Sequence, residues 1–339
     1  MTKLLTSIAA MQVVESGLLR LDDDIASFVP ELAKQPVLEG FHEDGRAILR
    51  ARLSPVTFRQ LLTHSAGLSY YFMDSDMAEC VTKVDWDGAD SPKVRQRYAY
   101  PLRYQPGTSW RYSPGIDWAG QVIERVTGIS LEEYMETKIF KPLGITGITF
   151  FPSKHPALQA RRTGMTERDQ SSGALLNYTG PSINDANEEA FGGQGAYADL
   201  TDYAKVLESL LLNDEKLLSK LSVDEMFRPQ LAGKSKDALV NVMATPELRK
   251  AFVGDFPEGV EYNWGIGGIL TCSDERGARG RKSGTLIWSG LPNMFWVSQS
   301  EGDRNRIILT STSFSIVQRV YTVSLAHTSC PPSTRWCVG

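Results

Sequence analysis

The feature that most limits what this chain can fold into is a change of hydrophobic period about two thirds of the way along its 339 residues. For about the first 220 residues, apolar side chains recur at spacings of three and four, the mark of helices with one buried face. Trp264–Leu270, Leu286–Trp288, Met294–Val297 and Ile307–Ser311 are then short β-branched or aromatic runs bounded by Gly, Asn and Asp, which read as an antiparallel meander. Gly302-Asp303-Arg304-Asn305 supplies a hairpin turn between the last two. There is no internal repeat and no low-complexity linker, so the expectation is one interlocked α+β unit: an antiparallel sheet flanked by helices, beside a large helical region.

The spacing predicts a helix over 2–16, with Leu4, Leu5, Ile8, Met11 and Val14 on one face and Gly17 as its terminator. Leu18–Asp24 turns into a short helix around Ile25–Leu32. Thr57 caps another, with Phe58, Leu61 and Leu62 as its stripe. Residues 69–105 are polar, aromatic and irregular, as suits loops lining a cleft. Asp117–Val126 and Leu131–Phe140 read as helices parted by Gly128, the second opened by Ser130-x-x-Glu133. Residues 152–190 form a long excursion, Thr201–Leu212 is an amphipathic helix, and Ser222-x-x-Glu225 caps the next. Three or four strands look thin for a chain of this size. Ser315–Leu325 is a candidate covering helix, and Cys330-Pro331-Pro332 fits no element.

Composition removes several classes of function. A net charge of -4 and no Lys/Arg run of five offer nothing to a polyanion, so nucleic acid is not an expected partner. No apolar stretch approaches the roughly 20 residues that span a bilayer, and a cytoplasmic protein is expected. Cys80, Cys272, Cys330 and Cys337 show neither a CxxC pair nor metal-ligand spacing to histidine. Free thiols are expected, and neither a metal nor an organic cofactor is.

Three clusters carry candidate chemistry. Lys3 lies in the first turn of a helix, where a cation opposes the macrodipole; alone it reads as a solvated lysine. Pro106-Gly107-x-x-Trp110-x-Tyr112-Ser113-Pro114-Gly115 places Tyr112 in a turn that opens a helix, and turn tyrosines are usually packing residues. Leu286–Gly290 sets Trp288, Ser289 and Gly290 on a strand that a substrate backbone could approach, though such a Trp is more often core.

Together and in order, these clusters resemble the family of class C β-lactamases, penicillin-binding proteins and carboxylesterases. That family carries Ser-x-x-Lys, a Tyr-x-Asn-like turn and a Lys-Thr-Gly-like strand. The likeness covers nearly the whole chain: Leu61–Leu68 is similar to the family's LLTHTSGL segment, and Glu124-x-x-Thr127-Gly128, Pro142-Leu143-Gly144-Ile145 and Gly192-Gly193 match further landmarks. VLEGF, LLTHSAGLSY, IDWAG and FGGQG look most like the fungal lovastatin-type acyltransferases. The resemblance implies a serine β-lactamase-like fold. Residues 1–18 are then the nucleophile-following helix of an α/β core, 19–200 a mainly helical region lining the cleft, and 201–339 the rest of the core. It also implies Lys3 as the lysine of Ser-x-x-Lys, Tyr112 as its proton-shuttling partner, and Trp288-Ser289-Gly290 as the oxyanion and substrate strand. Lys282-Ser283-Gly284 is a rival for that last role, and nothing marks further substrate-binding residues.

A lysine with a pKa of about 10.4 in water must be lowered by about 3 units to serve as the serine's base, which burial or a helix N-terminus favours. The implied reaction passes an acyl group from a thioester donor, small or borne on a carrier protein, to a hydroxyl of a polyketide-like acceptor. A carboxylesterase or β-lactamase-type hydrolase is the nearest alternative. Counting back three from Lys3 falls one residue ahead of Met1. The expectation is therefore that the nucleophile, with a helix and the first strands of the sheet, lies upstream of the chain as written. The alternative is an inactive, truncated pseudo-enzyme.

Overall fold

In the computed structural model, the residues described are 1–84, 86–169, 171–180, 182, 184–254, 259–274, 281–290, 294–301, 304–311 and 321–326. The meander is a six-stranded antiparallel sheet in which every strand pairs with its neighbour in sequence: β1 (Tyr262–Trp264), β2 (Ile269–Thr271), β3 (Leu286–Gly290), β4 (Met294–Glu301), β5 (Arg304–Ser311) and β6 (Tyr321–Ala326). Trp264–Leu270 is thus not one strand but the hairpin joining β1 to β2. Gly265 N–H closes it on the Gly268 carbonyl at 2.9 Å, and Gly267 takes φ +112°. A side chain at Gly267 would also start 3.0 Å from Leu4 Cδ1 of the first helix, so the turn needs glycine on both counts.

The covering helix expected over Ser315–Leu325 is replaced, in its described part, by β6, which pairs with Arg304–Leu309. Its Thr, Val and Tyr content suits a pleated surface better than a helix. Residues 315–320 and the Cys330–Pro332 run lie outside the described residues, as do Gly302 and Asp303 of the expected turn; Arg304 and Asn305 already belong to β5.

Helices also persist beyond residue 220, as Gly233–Ala244 and Pro246–Val253, which pack against β1 and β3 respectively. Leu200–Leu212 lies against β4 and β5. The helix Lys220–Met226 is capped by Ser219, whose hydroxyl accepts Ser222 N–H, so Ser222 is the third helical residue and not the cap. Thr57 does cap Phe58–Leu62, in a reciprocal capping box with Gln60. Leu131–Phe140 is α-helical only to Met135 and then widens into a π-turn over Glu136–Phe140. Ile25–Leu32 is divided into a 3₁₀ turn at Ile25–Ser27 and a helix starting at Pro30. The segment expected to be irregular holds a nine-residue helix, Ser75–Lys83, capped by Asp74.

The first helix, Thr2–Glu15, departs most from expectation. Its apolar face is not a stripe: Lys3, Thr6, Ser7, Ala9 and Ala10 are as buried as Leu4, Leu5, Ile8 and Met11, while Val14 is partly exposed. A helix buried on all sides belongs in the middle of a molecule. It packs on Gly115–Thr127 and Leu131–Met135 and meets the β1–β2 turn at Gly267. The core around it draws on side chains from Leu4 to Val297. Trp264, on β1, is wholly buried and donates its indole N–H to the Leu62 carbonyl at 3.1 Å, tying the sheet to the Phe58–Leu62 helix. Among the described residues no helix is long and apolar enough to cross a membrane, and Cys80 and Cys272 are free thiols; Cys330 and Cys337 lie outside them.

Candidate active site

Three side chains in the first two turns of the first helix grip one glycine-rich segment. Thr6 donates to the Gly192 carbonyl at 2.7 Å, Lys3 Nζ donates to the Gly193 carbonyl at 2.6 Å, and the Thr2 hydroxyl accepts Ala196 N–H at 3.1 Å. Lys3 is therefore no solvated lysine. Only 3% exposed, it has its charge held by a backbone carbonyl and by a π face, since Nζ stands 4.8 Å from the centre of the Tyr112 ring.

Tyr112 sits two residues before Pro114, which opens the Gly115–Thr127 helix. Its ring is fixed by four aromatic neighbours: His64 at 4.9 Å, Trp288 at 5.1 Å, Tyr70 at 5.4 Å and Phe252 at 5.6 Å between centroids. Such contacts each add about 0.5–1.5 kcal/mol beyond burial, so the phenol is held from several sides. The structure thus brings together Lys3, Tyr112 and Trp288, drawn from the two ends and the middle of the sequence.

Trp288 is buried on β3, between Phe252 at 5.3 Å and Trp264 at 4.9 Å. Ser289 beside it donates its hydroxyl to the Ala251 carbonyl at 2.8 Å, a bond to the Pro246–Val253 helix. Gly290 ends the strand opposite Met294. The rival tripeptide Lys282-Ser283-Gly284 lies in an exposed turn, where Asp274 accepts Lys282 Nζ at 3.0 Å and Ser283 N–H at 2.8 Å. Asn293, which precedes β4, lies outside the described residues.

Two further buried polar groups at the site carry no signal of their own in the sequence. His64 has a left-handed backbone, φ +57°, costly for a residue with a β-carbon and found where a structure needs the distortion. Its carbonyl accepts Tyr104 O–H and Arg111 N–H, and Nδ1 lies 3.0 Å from the Ser113 hydroxyl. Burial, and secondly the Lys3 charge, push its pKa well below 6.5, so the imidazole is neutral. Asp117, fully buried in the first turn of its helix, accepts Gly193 N–H at 2.9 Å. Burial raises its carboxyl to about 6, against the opposing pull of Lys3, the Gly193 N–H and Arg97. A histidine within LLTHSAGL and an aspartate at a helix start look ordinary in isolation; only the fold sets them beside Lys3.

Among the described residues no group of three His, Cys, Asp or Glu could hold a metal. A surface cavity of about 320 Å³ near Asp44, Arg46 and Lys83, and another of about 230 Å³ near Arg59 and Ser235, include neither Lys3 nor Tyr112. The candidate site is therefore defined by its converging side chains. It offers a buried amine, a phenol against it and an aromatic wall, the elements of proton transfer to and from a nucleophile in a dry cleft.

Comparison with known proteins agrees over most of the chain. A β-lactamase family model matches residues 1–271. The chain is 40% identical to a lovastatin esterase from Penicillium rubens over 297 residues, 87% of this chain and 74% of that one. It is 38% identical to a monacolin J acid methylbutanoyltransferase from Aspergillus terreus over 296 residues, 87% and 71% of the two chains. Unliganded simvastatin synthase from Aspergillus terreus superimposes with a TM-score of 0.82 at 38% identity, covering 87% of this chain and 73% of that one. A penicillin-binding protein from Bacillus halodurans shares the fold alone, at a TM-score of 0.52 and 18% identity over 97% of this chain and 79% of that one. The chain belongs to the β-lactamase family, in its branch of acyl-transferring serine enzymes.

Proposed function

We propose that the site moves an acyl group from a thioester donor to a hydroxyl of a polyketide-like acceptor, through an acyl-serine intermediate. The observation that carries this reading is Lys3, buried and set 4.8 Å from the Tyr112 ring centre, with the Trp288 ring centre 5.1 Å from that of the same phenol. The serine of a Ser-x-x-Lys pair stands three residues before its lysine, one helical turn away and on the same face.

In the first half-reaction the Lys3 amine, together with the Tyr112 phenol, takes the serine proton. The serine oxygen bonds to the thioester carbonyl carbon. The oxyanion rests on two backbone N–H groups, one from the serine and one from the Trp288–Gly290 strand. The C–S bond then breaks, and the leaving thiolate recovers the proton. In the second half the acceptor hydroxyl gives its proton to the same pair and attacks the acyl carbon; an ester leaves and the serine is reprotonated. The name of the Aspergillus relative, monacolin J acid methylbutanoyltransferase, supports transfer of a small acyl group to such an acceptor. The aromatic side chains of Tyr70 and Phe252 against Tyr112, with Phe72 stacked on Tyr70, suit a wide apolar acceptor. The donor is a small thioester or an acyl chain on a carrier protein.

The test uses the chain from Met1 and the same chain with a serine placed ahead of Met1. Each is mixed with an acyl thioester and a polyketide alcohol, then followed by intact mass and product analysis. The serine-bearing chain is expected to gain one acyl group and to release ester, and Lys3→Met is expected to abolish both. A serine-bearing chain that takes no acyl group would sink the reading in favour of a non-catalytic protein. A hydrolase is the second reading, favoured by the Penicillium relative's name, lovastatin esterase. The two differ in whether water or alcohol resolves the acyl-enzyme. Product that stays acid as alcohol is added decides for hydrolysis.

A further inference from the structure

The proton transfers just described use Lys3 and Tyr112 and leave Asp117 without a task. Yet Asp117 is joined to Lys3 through a single residue. Gly193 gives its N–H to Asp117 Oδ1 at 2.9 Å and its carbonyl to Lys3 Nζ at 2.6 Å. The fit is close, since a β-carbon on Gly193 would lie 2.2 Å from Asp117 Oδ2, a contact no side chain tolerates. That second oxygen is buried and has no hydrogen-bond partner among the described residues.

The plain structural reading is that Asp117 satisfies the Gly193 N–H. An asparagine would do that without burying a charge, and a buried carboxylate oxygen with no donor is a costly way to do it. The charge itself therefore needs a purpose, and the cation one residue away supplies it. We propose that Asp117 is the positioning residue of Lys3: it holds Gly193 so that its carbonyl receives the lysine nitrogen, and its negative charge sets how readily that nitrogen gives up its proton. The proposal rests on the reading of Lys3 as the proton-transferring base.

The other titratable groups in reach are accounted for. The first helix contributes Lys3, and the segment after the Phe58–Leu62 helix contributes the neutral His64. Tyr70, Tyr98 and Tyr100 all feel the Asp117 charge, and burial keeps each phenol protonated. Among the described residues Arg97 is a second cation whose charge bears on the carboxylate. Tyr112 presents its ring to Lys3. Lys3 and Arg97 are thus the cations Asp117 balances, and only Lys3 shares Gly193 with it.

The experiment follows the Lys3 side-chain resonance by NMR in full-length protein labelled with ¹³C-lysine, assigned with Lys3→Arg, across the pH range. It needs no catalysis, so a failure of the acyl-transfer reading would show separately as absent acylation. In Asp117→Asn the Lys3 titration is expected to move down by about one pH unit, roughly tenfold more free amine at a given pH, as loss of a nearby opposite charge requires. In the unsubstituted protein the same resonance is expected to show a second inflection at about pH 6, where Asp117 takes its proton. This second measurement stands even where Asp117→Asn fails to fold. An unchanged Lys3 titration in the folded variant, or no inflection in the parent protein, overturns the proposal and leaves Asp117 a purely structural acceptor.

Discussion

Asp117→Asn also makes a stability prediction whose size follows from burial. The carboxyl is raised from 3.8 to about 6 because its charged form has been taken out of water. Each pH unit of difference between folded and unfolded states is worth about 1.36 kcal/mol, so the ionised carboxylate destabilises the fold by about 3 kcal/mol. The folded protein holds this proton more tightly than the unfolded chain. Its contribution is therefore complete below about pH 3.8, is lost as pH rises from there through about 6, and is flat above. Asparagine keeps an acceptor for Gly193 N–H and never ionises. It places an unpartnered N–H₂ where Oδ2 was, at a fixed cost of about 1–3 kcal/mol. The stability of variant minus parent, from urea unfolding at a series of pH values, should hence climb by about 3 kcal/mol between pH 4 and 6.5 and then level, whatever its starting offset. A difference flat across that range would refute the claim that Asp117 is a buried charge in the folded state, and a fall would reverse its sign.

Lys3→Met in the serine-bearing chain should lower acyl transfer by a factor of at least about 10³ while leaving the melting transition cooperative, read by ester formation and by circular dichroism. Trp288→Ala removes the side chain packed on Tyr112, Phe252 and Trp264; it should cost about 3–5 kcal/mol in urea unfolding, and a loss below 1 kcal/mol would mean that the aromatic wall is not packed as described. In Gly115→Ala the new methyl would start 2.5 Å from the Leu61 carbonyl oxygen, so the helix start must back away; about 1–3 kcal/mol of stability should go, whereas an unchanged midpoint would contradict that close approach. Thr57→Ala breaks the capping box with Gln60 and should cost about 1 kcal/mol by the same measurement.

The sequence disclosed most where one interaction decides the local structure. Thr57 and Gln60 mark a helix start by themselves, and Gly128 and Gly17 mark ends through their left-handed backbones. It disclosed least where burial is symmetric or thin. A helix buried on all sides shows no stripe, so Lys3 read, alone, as a surface cation. Gly233–Ala244 buries only Ser235, Leu239 and Met243, too narrow a seam to stand out. Gly265, Gly267 and Gly268 break Trp264–Leu270 into a hairpin, but its apolar residues read as one strand. The grouping of Lys3, Tyr112 and Trp288 was legible because motif order in a family carries spatial information. Asp117 and His64 were not, because each acquires its environment from segments far away in the chain, Gly193 for one and Trp264 for the other.

The central place of the first helix bears on how the protein is made. A ribosome releases Thr2–Glu15 long before the β1–β2 turn that Leu4 packs against, which is encoded some 260 residues later. At about 5–20 residues per second, the helix waits roughly 15–50 s with apolar residues on every side and no sheet to receive them. The six strands, each paired with its neighbour in sequence among the described residues, can zip up as they emerge, and the Leu4 side of the helix stays uncovered until the β1–β2 turn is made. Slow codons or a chaperone acting on the N-terminal segment would therefore govern yield far more than they would in a protein whose last-made elements are peripheral.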